Sequence, residues 1–143
     1  MGAAAVLLEV HAKAEEDLFY PQLLALGTGE GGKASPEDET TDAIHDHNEI
    51  RDALADVEGH APGSSGWWSA VAKVNEVNGD HMAEEEREGL TDFRRHASLD
   101  LRHNLAVAFY AYEAAHAGGI KSHDVDPEEY VKQNEDPAAG PGR

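Results

Sequence analysis

The sequence predicts an all-α protein, an up-down bundle of helices, and three observations predict it. Stretches rich in Ala, Leu and Glu carry apolar residues at steps of three and four, the repeat of one helix face. Polar segments rich in Gly, Ser and Pro cut these stretches into units of helical length. The pattern His-x-x-x-Glu occurs twice, at His11–Glu15 and His81–Glu85, and in a helix this spacing stacks both side chains one turn apart on one face.

The first element spans residues 3–26, with an inward stripe of Ala4, Leu8, His11, Glu15 and Leu18 and with Gly27 as its stop. Pro21 lacks an N–H and is expected to kink or end this helix near Tyr20. Residues 27–39 form a Gly-rich polar loop. The second helix covers residues 40–58 with Ile44, His47, Ile50, Leu54 and Val57 inward, and His45, rotated by about 200° from His47, points elsewhere. After a loop at 59–66 the third helix covers residues 67–88, opening on Trp67 and Trp68, which are expected as core or end-cap packing. Its inward stripe is Val71, Val74, Asn78, His81 and Glu85. Gly89 bends the chain before a last helix over residues 91–117, apolar on two sides: Leu101, Leu105, Phe109 and Tyr112 on one, Leu99, Ala106, Val107 and Tyr110 on the other. The bundle is thus assigned to residues 1–117, and residues 118–143, with three prolines and few apolar residues, to an extended or disordered tail.

On both His-x-x-x-Glu stripes a His and a Glu stand where Leu would be expected. An ionised carboxylate buried without compensation costs several kcal/mol, and a bound cation is the simplest compensation. Imidazole and carboxylate are good ligands for iron, manganese or zinc. The neighbouring Glu16, Asp17, Glu84 and Glu86 are expected on solvated outer faces.

Composition narrows the chemistry further. With 29 acidic against 11 basic residues the formal charge is −18, which disfavours nucleic acid or an anionic membrane as partner. No cysteine is present, so disulfides, thiolate zinc sites and iron–sulfur clusters are excluded, and nine His and many carboxylates are the available ligands. Neither a long apolar run nor a leader pattern is visible, so a cytoplasmic location is expected. No nucleophile triad, phosphate loop or nucleotide fingerprint is visible either.

The order His-x-x-x-Glu, single helical His, His-x-x-x-Glu, carried by HAKAEEDLFYPQL, DAIHDHNEI and HMAEEEREGL, resembles the hemerythrin-like (HHE cation-binding) family over residues 11–90. The resemblance implies a four-helix bundle holding two iron ions, with manganese or zinc as substitutes. By it the ligand roles fall on His11, Glu15, His47, His81 and Glu85, with Glu15 and Glu85 bridging. It implies binding or turnover of a small diatomic or peroxide ligand (O2, NO or H2O2). Two other readings stay open: an iron-binding or redox-sensing regulatory module without turnover, and a metal-free helical interaction domain.

The family supplies one more His from a helix ahead of the first pair, and only ten residues precede His11. The expectation is that the last helix or a second copy of the chain, as a homodimer, takes that place, with His103 the first candidate for the extra ligand. His60 and His123 are expected in solvent, and His96 and His116 as solvated or core-satisfied residues. Glu113 and His116, three apart, form only a weak ligand pattern.

Overall fold

The first helical stretch does not run as one regular helix. In the computed structural model, which describes residues 2–135, helix α1 (Ala3–Ala14) passes into a π-helical turn at Glu15–Phe19 and then into α2 (Tyr20–Leu26). The Tyr20 N–H reaches back five residues to the Glu15 carbonyl. Pro21 gives the reason: it has no N–H for the preceding turn, and in a regular helix its ring would press on the carbonyl four residues back. The Glu16 carbonyl instead accepts a hydrogen bond from the Tyr130 hydroxyl. One extra residue in this turn rotates the helix beyond it, so Glu15, Glu16, Phe19, Tyr20 and Leu23 are all buried. Ahead of the turn, too, the buried face differs from the expected stripe, with Ala4 and His11 exposed and Val10 and Ala14 inside.

Helix α3 (Pro36–Glu58) begins earlier than expected, because Ser35 caps it by accepting from the Asp38 N–H, Pro36 fits the first turn, and Glu37, Asp38 and Glu39 complement the helix dipole. Helix α4 (Ser65–Arg87) is capped by Ser64 in the same way and packs along α3 as the most extensive helix pair. Trp68 at its start is exposed, so it contributes nothing to the core. The expected single last helix is two. Helix α5 (Gly89–His96) ends where Ala97 turns extended, and α6 (Leu99–Ala115) restarts behind the N-cap Ser98. Gly89 lies against α2, where a side chain would press on Leu23.

An extended tail holds only in part. Val125 exchanges two hydrogen bonds with the Asn48 side chain, and α7 (Pro127–Glu135) then buries Tyr130 and Val131 beside Phe19, Tyr20, Leu23, Ile44 and Phe93. Two apolar side chains and a Tyr hydroxyl with a free carbonyl to meet are enough to fold a segment whose composition is otherwise polar. The remaining tail residues, 136–143, lie outside the described residues. The whole is an all-α helical bundle, with no strand among the described residues, and no helix among them is long and apolar enough to cross a membrane.

Candidate metal centre

Glu15 stands at the middle of the site, placed inside by the π turn and only 5% exposed. Three imidazoles from three helices converge on its two oxygens. His11 Nε2 lies 2.8 Å from Oε1, and His47 Nε2 and His81 Nε2 lie 2.9 Å and 3.8 Å from Oε2. The His47 and His81 Nε2 atoms are 3.1 Å apart. One ligand atom from each of Glu15, His47 and His81 falls within 4.8 Å of the others, and all three residues are buried.

Each of these rings is held from behind by a carboxylate. His47 Nδ1 meets Glu16 Oε1 at 3.0 Å, His81 Nδ1 meets Asp46 Oδ2 at 3.2 Å, and His11 Nδ1 meets Glu113 Oε1 at 2.9 Å. A carboxylate on Nδ1 keeps the proton there and turns the Nε2 lone pair inward, the arrangement by which proteins orient metal-binding histidines. Two inward lone pairs 3.1 Å apart repel unless a proton or a cation lies between them. The residues therefore fit a metal ion.

Without a cation, protons take its place. Burial pulls the His81 imidazole down, but its bonds to Asp46 and Glu15 outweigh this and push it up to about 10. His11, bonded to Glu15, is pushed up to about 9. Burial raises Glu15, yet the bonds from His11, His47 and His81 hold it well below the usual carboxylate range. Glu85 is pushed by burial up to about 7, which keeps much of it neutral near neutral pH.

Glu85 lies beside the cluster rather than in it. Its Oε2 is 3.9 Å from His81 Nε2, and its Oε1 accepts from the Tyr20 hydroxyl at 2.7 Å. His11 is at the edge, its ring half exposed and edge-on to Phe109. His103 is exposed on α6 and joins nothing in the cluster, while His45 and His123 are exposed as expected. His60 is also exposed, His96 bonds the Asp92 carbonyl, and His116 bonds the Tyr112 carbonyl. Helix α6 thus sends Glu113 to the site, as a partner of His11, and no imidazole.

Glu16 corrects the expectation of a solvated outer face. It is 2% exposed and bridges His47 to the Arg51 guanidinium, which lies at 2.6 Å. Burial raises its pKa, but these two cationic partners outweigh burial and leave it lowered. Pro21 is the sequence signal for the slipped turn that carries Glu16 inward, and Arg51, four residues after His47, is the signal for its partner. Asp46, Tyr20 and Glu113 reach the site from other elements and leave no local pattern.

The model of the hemerythrin HHE cation-binding domain matches residues 1–91. This chain belongs to the hemerythrin HHE cation-binding family. No curated protein and no solved structure matches it significantly. The matched residues of this hemerythrin HHE chain include His11, Glu15, His47, His81 and Glu85, and they stop before α6, which contributes Glu113.

Proposed function

We propose that the protein is a non-haem diiron protein that binds or turns over a small diatomic or peroxide ligand, O2, NO or H2O2. The residues that would hold iron are His11, Glu15, His47, His81 and Glu85, with Glu15 and Glu85 as its carboxylate donors. The observation that carries this reading is the set of three imidazoles, each fixed on Nδ1 by a carboxylate and aimed through Nε2 at Glu15. A purely structural set would have no reason to bring two buried Nε2 atoms within 3.1 Å of each other beside one carboxylate oxygen. Nitrogen and carboxylate donors without thiolate suit iron, and they also accept manganese or zinc.

The iron pair, when bound, supplies redox chemistry towards the small ligand. The chain's own residues set the conditions for it. Asp46, Glu16 and Glu113 hold the rings, and Tyr20 holds Glu85 and carries a proton 2.7 Å from it. Phe19 and Phe93 keep the inner wall apolar, while the half-exposed His11 marks the side from which a small ligand enters.

Metal analysis of protein purified without chelator tests the assignment. About two iron ions per chain are expected, as in other dimetal carboxylate bundles. A chain that carries no transition metal and takes up no Fe(II) on titration overturns it. Consumption of NO or H2O2 by the loaded protein then separates turnover from an iron-binding regulatory module.

A further inference from the structure

A groove of about 830 Å³ opens between α1, α4, α5 and α6 and runs down to the cluster, where Glu15, His81 and Glu85 form part of its wall. Its apolar lining is built from Leu8, Phe19, Met82, Phe93, Leu105 and Phe109, and Glu86 adds a carboxylate to the wall. Its ends are polar. At the inner end His11 and Glu113 are paired, and at the outer end stand Arg94 and Arg102. From Arg102 to Glu113 α6 advances about 16 Å at 1.5 Å per residue.

The two arginines are the unusual feature. The chain carries 29 acidic residues, yet neither guanidinium has a carboxylate at ion-pair distance among the described residues, and Arg102 Nε is buried with no partner. Arg94 is exposed and Arg102 half-buried, so an anion at this end would take their accessible N–H groups, for which the fold supplies no carboxylate. The groove volume lies within the range of small-molecule sites. Leu99 and Val107 are exposed on α6 outside the groove lining.

We propose that this groove binds a long-chain carboxylate, its head on Arg94 and Arg102 and its hydrocarbon tail laid along α6 towards His11 and Glu15. The binding needs no metal, so it stands apart from the iron reading. Were the site to hold iron, the tail end would lie beside it and narrow the way in for a small ligand.

Isothermal titration of the metal-free full chain with dodecanoate tests the proposal, with dodecyltrimethylammonium as the same chain bearing the opposite charge. One dodecanoate per chain and no uptake of the cation are expected. The double variant Arg94→Ala, Arg102→Ala should weaken dodecanoate by about tenfold or more, the loss expected for hydrogen bonds to a charged group. Ala106→Trp, which fills the groove and leaves both arginines, should abolish binding, with circular dichroism showing the helices intact. Equal binding of both amphiphiles, or dodecanoate binding indifferent to both variants, overturns the proposal. So does a dimer in sedimentation velocity that takes up no dodecanoate, which would make a second copy the occupant. Failure here leaves the iron reading standing, and a chain that binds dodecanoate but never iron sinks that reading alone.

Discussion

His47 and His11 both present Nε2 to Glu15 at under 3 Å, but their surroundings differ sharply: the His47 side chain is 1% exposed and that of His11 is 53% exposed. Behind His47 stand Glu16 and Arg51, both buried, on the π turn and α3. Behind His11 stands Glu113, on a helix that has no buried residue of its own. The site therefore has one half fixed by the core and one half fixed by a surface contact. A ring in the first half is oriented before any metal arrives. A ring in the second half is held by a contact that water can replace, which makes α1 with α6 the side that opens first.

The largest effect should come from breaking the buried half. Glu16→Ala leaves the buried Arg51 without its carboxylate and His47 with Glu15 alone, and a loss of about 3–5 kcal/mol in urea unfolding is expected. A loss below about 1 kcal/mol would show that the two halves are alike.

A second buried group sharpens the contrast through pH. Glu39, buried beside Asp92, is pushed by burial and by that neighbour from 4.5 up to about 8. Because its folded-state value is raised, its stabilisation is complete below pH 4.5 and is lost as pH rises through about 8. Glu39→Gln should then gain about 1–3 kcal/mol at pH 9 and nothing at pH 4. Thermal unfolding of both proteins across this range measures it, and parallel curves would contradict it.

Smaller still is the effect expected of Tyr130→Phe, which frees the Glu16 carbonyl that Pro21 cannot serve. About 1–2 kcal/mol should be lost, with faster amide exchange in α7. The smallest change in stability belongs to Glu113→Ala, under about 1 kcal/mol because this pair is exposed. Its metal affinity should nevertheless fall by about 10- to 100-fold, the usual consequence of removing a carboxylate behind a histidine ligand. Competition with a chelator reads this directly, and unchanged affinity would mean that Glu113 does not orient His11.

Much of the fold and the site is legible in the sequence, and particular residues show why the rest is not. The two His-x-x-x-Glu pairs and His47 on its stripe can be read because a helix repeats locally. The break at Ala97 is not legible in this way: Ser98, an N-cap residue, is its signal, but it sits inside a run whose helix-forming residues read as one helix. The π turn is only half visible: Pro21 announces a disturbance, but the hydroxyl that settles its form comes from Tyr130, far along the chain. For the same reason Glu16 looks like a surface residue in the sequence. The carboxylates behind the rings come from 31, 35 and 102 positions away, separations that no helical period encodes.

The Nε2 atoms of His11, His47 and His81 face a common centre around Glu15, which we read as the metal site. A crystal structure of the iron-loaded protein with anomalous data at the iron edge tests it most directly. Anomalous peaks are expected in contact with these three Nε2 atoms and the Glu15 carboxylate, with Nδ1 still on Glu113, Glu16 and Asp46. Peaks confined to surface acids such as Glu84 or Glu86, or iron bound through Nδ1 in place of those three carboxylates, would contradict it.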